Sequence, residues 1–187
     1  MSDSTPVAAA DQQVLITRIF DAPREQVFRA WTDPDAVAAW FGPAQMDTPR
    51  DRIRIDLRVG GRYELTMVRR DGGGEFAIGY DIVELVEPEL IVLRSDPKPE
   101  MGMPEPTVVR VELHDHGAKT RMTLSDAPQP PAGRGHAEAG WNAALDRGRY
   151  AAWDYAPRVD GAMRYVRSKA DLYELQRQSR LDAPGDN

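Results

Sequence analysis

Three histidines and a scatter of carboxylates carry whatever acid–base or metal chemistry this 187-residue chain offers, because it contains no cysteine. His114 and His116 stand two apart, and two imidazoles can chelate a metal when they share one strand face. The run H-D-H-G at 114–117 reads instead as a turn, and no third ligand stands at a useful spacing, so no metal site is expected. His136 has Arg134 and Glu138 beside it, which would suit a general acid or base. Its place in the first turn of a helix is explained as well by solvation and a favourable glutamate. No Ser-His-Asp order, paired carboxylates or Walker pattern stands out. The glycines of D-G-G-G at 71–74 lack the lysine and helix that a phosphate cradle needs, and read as a hairpin turn. Asp21 and Asp33 are read as helix starts. The residues therefore assign no catalytic group and no cofactor, and enzyme activity is left open.

Composition narrows the classes further. Hydrophobic residues make up 41% and charged residues 29% of the chain, enough for a globular core. A net charge of −6 argues against a nucleic-acid groove, since phosphates would be repelled on average. The N-terminal run has neither a basic segment nor an apolar one, so no signal peptide is read, and no apolar run is long enough for a membrane span. With no cysteine, a cytoplasmic protein is the expectation.

The elements that must position any site follow from periodicity. Residues 1–13 are small and polar and are expected to be disordered. Val14 to Phe20 reads as a strand. Two short helices follow, the first with Val27, Phe28, Ala30 and Trp31 inward. The second is announced by Asp33-Pro34, with Val37, Trp40 and Phe41 inward. From Arg52 to Arg58 the period becomes two. Further strands run from Arg62 to Met67 and from Phe76 to Ile82, with a bulge expected at Val83. Others run from Leu90 to Leu93, Val108 to Leu113 and Thr120 to Leu124, about seven in all. Tight turns gather at one end. The loops 96–106 and 126–131 gather at the other, which is the candidate mouth of a site. A long helix is read over 133–155, with Ala137, Trp141, Ala144, Leu145, Gly148, Ala152 and Tyr155 on its apolar stripe and Arg147, Asp154 and Glu138 opposite. A final helix is read from about 160 to 180. One apolar sheet face covered by one long helix is a two-layer α+β architecture.

This order, together with I-T-R-I-F-D-A-P-R-E-Q-V-F-R-A-W-T-D-P at 16–34, W-F-G-P at 40–43, V-G-G-R-Y at 59–63 and G-W-N-A-A-L-D-R at 140–147, resembles a known family. It is similar to the bacterial homologues of the activator of heat-shock-protein-90 ATPase, which resemble that activator's C-terminal domain. They lie within the helix-grip (SRPBCC) superfamily of START domains, the birch-pollen allergen and polyketide cyclases. The resemblance covers roughly Val14 to Tyr155. It implies a curved antiparallel sheet gripping the long helix over residues 14–156, with 157–187 as a helical extension beyond the family's usual end. It also implies room between helix and sheet, commonly a pocket.

On that basis the helix wall of an apolar pocket is assigned to Trp141, Leu145, Gly148 and Ala152. The family typically has leucine at the position of Gly148, and a mid-helix glycine costs about 1 kcal/mol relative to alanine. The sheet wall is assigned to Tyr63, Met67, Phe76 and Ile78, with Trp40 beside them and Met101 and Met103 as an adaptable rim. The expected partner is an apolar or lipid-like small molecule. A protein-interaction module in the manner of the co-chaperone and a polyketide-cyclase-like enzyme are the alternatives. The tail is expected to pack on its own domain or to join a homodimer.

Overall fold

The computed structural model describes residues 12–99 and 102–151, the side chains of the last four excepted. The helix expected over about 160–180, the expected course of the long helix beyond residue 151, and residues 1–11 fall outside those residues. Strands β1 (Val14–Phe20), β2 (Met46–Asp47), β3 (Ile53–Ile55), β4 (Arg62–Arg69), β5 (Glu75–Val86), β6 (Leu90–Ser95), β7 (Val108–His116) and β8 (Lys119–Ala127) form one sheet. Helices α1 (Arg24–Thr32) and α2 (Pro34–Trp40) follow β1, and α3 (Pro131–Ala151) closes the described chain. Every pairing is antiparallel, in the order β1-β8-β7-β6-β5-β4-β2, with β3 also on β4. The strands from β3 to β8 are a meander, and β1 returns to its far edge. The sheet curls around α3 as the helix-grip reading requires.

Local chemistry explains most of these elements. Asp33 caps α2 by accepting from the Asp35 N–H at 2.9 Å, and Pro34 fills the first turn where no N–H is needed. Val27, Phe28, Ala30 and Trp31 of α1 are buried, as are Val37 and Trp40 of α2. The register of β5 against β6 shifts between Ile82 and Glu84, which leaves Val83 as the bulged residue. That bulge lets Ile82 and Leu85 both turn to the core.

Four readings are corrected. The strand expected over 52–58 pairs only at Ile53–Ile55, because the chain turns at Asp56, whose N–H donates to the Arg62 carbonyl. Leu57 and Val59 continue the alternation in sequence yet stand exposed. The two-residue β2 had no periodicity to announce it. Asp21 caps nothing: Pro23 is the residue before α1, without a side-chain cap, and Asp21 pairs with Lys119 at 3.4 Å. Finally, β7 runs on through His116, since Asp115 and His116 pair with Thr120 and Lys119 of β8. His114 and His116 therefore do share a face, but their cross-strand neighbours are Arg121 and Lys119. Two cations opposite make a poor setting for a metal, and no cluster of metal-ligating side chains occurs among the described residues.

Candidate functional site

The concave face of the sheet is built from alternate residues of each strand. Register places Tyr63 opposite Tyr80, Leu65 opposite Ile78 and Met67 opposite Phe76, so Tyr63, Met67, Phe76 and Ile78 lie on one face. Exposure climbs along this row: Tyr63 is 1% exposed, Met67 and Ile78 are half-buried, and Phe76 reaches 38%. Tyr63 anchors the deep end, donating its hydroxyl to the Trp31 carbonyl at 3.1 Å and meeting the Tyr80 ring edge-on at 6.1 Å. Burial pushes the phenol pKa of both tyrosines far up.

The helix side is an aromatic cluster. Trp141 is half-buried, with ring centroids 5.9 Å from Trp31 and 5.8 Å from Phe41. Trp40 is fully buried, packs on Trp31 and Phe41, and donates its indole N–H to the Ala30 carbonyl at 2.9 Å. Ala144 and Leu145 of α3 are buried among these rings and the sheet. Gly148 lies in α3, with its surroundings outside the described residues, as Ala152 and Met101 are themselves. Met103 is half-buried and bridges Lys98 across the loop between β6 and β7.

Arg147 departs from its expected place on a polar helix face. Its Nη1 donates to the carbonyls of Gly42, Pro43 and Met46 at 3.2, 3.1 and 2.8 Å, and Nη2 lies 3.9 Å from Asp47. One guanidinium thereby ties α3 to the corner between α2 and β2. Desolvation and neighbouring Arg70 lower its pKa, and Asp47 opposes them.

The group that sequence reasoning missed is Asp126. The core-facing residues of β8 are Thr120, Met122, Leu124 and Asp126, so an acid occupies a buried, apolar parity. It is 5% exposed and sits at the end of the sheet where the longer loops gather. Its Oδ2 accepts the Trp141 indole N–H at 3.0 Å. Burial raises its pKa, while Trp141, Thr107 and Gln129 pull it back. Those last two side chains are themselves buried beside it, yet Oδ1 makes no hydrogen bond of ordinary geometry. The Trp31 indole N–H is likewise buried without an acceptor. Trp31 and Asp126 thus both touch Trp141, and the carboxylate has Thr107 and Gln129 beside it. A break in the alternation at Asp126 was the available signal.

The opposite, convex face carries a groove of about 380 Å³ lined by Arg54, Arg62, Glu64, Asp96 and Lys98 among others. Arg62 forks onto Asp96 at 2.9 and 2.7 Å and reaches Asp81 at 2.9 Å, while Arg94 holds the other oxygen of Asp81. These partners depress the carboxyl pKa values of Asp81 and Asp96. The pair lies flat over Gly79, where a Cβ would collide with both side chains. Its central charges are already matched, which leaves little call for a ligand.

A family model described as activator of Hsp90 ATPase homolog 1-like protein matches residues 21–147. A second, described as choline sulfatase enzyme C terminal, matches residues 141–181. No curated protein matches the chain. Among solved structures, a protein from Nitrosomonas europaea is 22% identical over 78% of this chain and 96% of its own, with a TM-score of 0.64. The AHSA1-like protein from Aeromonas hydrophila is 19% identical over 94% and 99%, with a TM-score of 0.63. A protein from Arthrobacter aurescens is 20% identical over 79% and 90%, with a TM-score of 0.65. At such identities the likeness speaks for the fold.

Proposed function

The chain belongs to the family of activator of Hsp90 ATPase homolog 1-like proteins, and from that premise we propose that it binds an apolar small molecule between α3 and the concave face of its sheet. The observation that carries this reading is the row from Tyr63 to Phe76. An apolar strand face that is sealed at one end and 38% exposed at the other offers graded, water-accessible apolar surface beside a loop-rich end. Met67 and Met103 supply adaptable thioethers near it. The helix wall is read as Trp141, Leu145, Gly148 and Ala152, where the absent side chain of Gly148 enlarges the space. Residues 14–156 then form the binding domain, and 157–187 a helical extension that packs on this domain or on a second copy. The cysteine-free sequence supports a cytoplasmic setting, and no described helix is long and apolar enough to cross a membrane.

Native mass spectrometry of freshly purified protein, with uptake of an anilinonaphthalene sulfonate probe, tests the reading. A co-purified small molecule, and weaker probe uptake by a folded Gly148→Leu variant, are the expected results. Unchanged uptake by that variant would move the pocket away from Gly148. A second reading, a protein-interaction module, is favoured by Leu15 and Ile19, which stand exposed on the outer face of the edge strand β1. An empty protein that takes up no probe and retains a protein partner would replace the first reading with this one. For a cyclase-like reaction, Asp126 is the described acid that the core itself presents.

A further inference from the structure

We propose that the extension 157–187 docks as a helix on the outer face of β1 in its own chain, over Leu15 and Ile19. This docking rests on the reading of 157–187 as a helical extension, and it stands apart from ligand binding. Leu15 is 60% and Ile19 45% exposed, on the strand at one edge of the sheet. Thr17 lies between them on the same face, and their cross-strand neighbours on β8 are Ser125, Thr123 and Arg121. Exposed apolar side chains at a sheet edge are a liability that folded chains manage by covering them.

What covers these two follows from where the described chain ends. Arg134 of α3 donates to the Gln13 carbonyl, while Arg18 reaches Asn142 and lies 3.9 Å from Asp146. A strand rises about 17 Å from Gln13 to Arg18, and a helix rises about 12–18 Å from Arg134 to Asn142 and Asp146. So α3 runs alongside β1 in the same direction. Asp146 lines a groove of about 510 Å³ together with Thr17, Arg18 and Ile19. The end of α3 at Ala151 stands about 8 Å beyond Asp146. Residues 152–159 reach about 27 Å when extended. That is enough to pass from one side of the sheet to the other, about 20 Å between flanking layers. Returning along β1, the chain meets Ile19 first and Leu15 about 14 Å later. Met163, Val166, Ala170 and Tyr173 recur at helical spacing over about 15 Å, so the two apolar rows match in length. An added strand is opposed here, because Arg134 and Arg18 already hold the Gln13 and Thr17 carbonyls. A helix laid on the face needs neither carbonyl. The tether gives the extension an effective concentration on the order of millimolar, which favours its own domain over a second copy.

The chain has no cysteine, so Ser168→Cys places a single nitroxide on the extension, on the side opposite its apolar row. In methyl spectra of the full chain, Leu15 and Ile19 should lose at least fivefold in intensity relative to the reduced label. Val86, exposed on β5 four strand spacings away at about 19 Å, should lose less than twofold. Ile19→Asp leaves the core untouched, sets an acid opposite Arg121, and should bring Leu15 back to within twofold of its unbroadened intensity. In a mixture of isotope-labelled chain without the nitroxide and unlabelled chain carrying it, no broadening is expected. Broadening in that mixture would assign the surface to a second copy and overturn the proposal. Broadening centred on Val86, or none at Leu15 and Ile19, would overturn it too, as would a Leu15 signal that stays broadened in Ile19→Asp. Uptake of the naphthalene sulfonate probe is read separately, because it reports the concave face: either result leaves the docking to be decided by the nitroxide alone.

Discussion

Trp141 donates its indole N–H to Oδ2 of Asp126 at 3.0 Å, joining the middle of the long helix to the end of the last strand. The bond holds a carboxylate in the core that would otherwise be strongly opposed there. It accounts for only one of the two oxygens. The seam between helix and sheet is therefore a structural tie that holds a buried acid, with Thr107 and Gln129 on its carboxylate as well.

The first prediction concerns pH. A carboxyl whose folded pKa is raised holds its proton more tightly in the native state than in the unfolded one, so stability falls as pH climbs from the ordinary value of 3.8 through the raised one. Asp126→Asn removes that loss and keeps the bond to Trp141. The variant should equal the wild type near pH 4 and melt at a higher temperature than the wild type near pH 8. The facing groups Tyr80, Thr107, Gln129 and Trp141 do not titrate in this window. Melting curves at both pH values decide it, and a variant less stable at pH 8 would show that the charge is stabilised in place.

Arg147 should matter more than a surface cation. Replacing it with methionine keeps the stem and removes the donors to three backbone carbonyls. A loss of roughly 2–3 kcal/mol in urea unfolding is expected, within the range for hydrogen bonds to a charged group. A loss below about 0.5 kcal/mol, typical of exposed ion pairs, would mean that α3 docks without it.

The adjacent glycines of V-G-G-R should differ in kind. At Gly60 φ is +79° and a Cβ would meet nothing within 4 Å, so Gly60→Ala should cost only the left-handed penalty, roughly 1–2 kcal/mol. At Gly61 a Cβ would fall on the Asp56 carbonyl oxygen and lie 2.9 Å from that of Arg58. Both obstacles are backbone, so Gly61→Ala must move the turn and should cost more than its neighbour. Chemical denaturation of the two variants side by side checks the order.

Truncation after Pro157 is expected either to lower the melting temperature or to halve the mass in light scattering, according to whether the tail covers its own domain or a second copy. Unchanged melting and unchanged mass would show that the extension packs on neither.

Much of the architecture was legible because strand and helix periodicities are properties of the local backbone. Residue pattern identified β1 and β4 to β8, and a break in parity at Val83 marked a real bulge. The Asp33-Pro34 pair marked a real cap, since a short acceptor followed by a residue without an N–H suits the first turn of a helix. Where local pattern and pairing diverged, pairing won. Leu57 and Val59 alternate as a strand would but have no neighbouring strand to bond. The His114–His116 segment looks like a turn but is held extended by Thr120 and Lys119.

The sequence by itself determined which faces of the helices and strands are apolar, and hence that one sheet closes on one long helix. In the sequence alone the last strand ends at Leu124 and Asp126 falls in the loop after it, whereas β8 runs on to Ala127 and buries the acid. Only the tertiary structure decided that this acid meets a tryptophan fifteen residues further along the chain and that Trp31 joins the same cluster. It likewise turned Arg147 inward onto the carbonyls of the Gly42–Met46 corner. Those outcomes depend on where distant segments dock. Periodicity fixes the direction in which a side chain leaves its own backbone, and packing decides what it finds there.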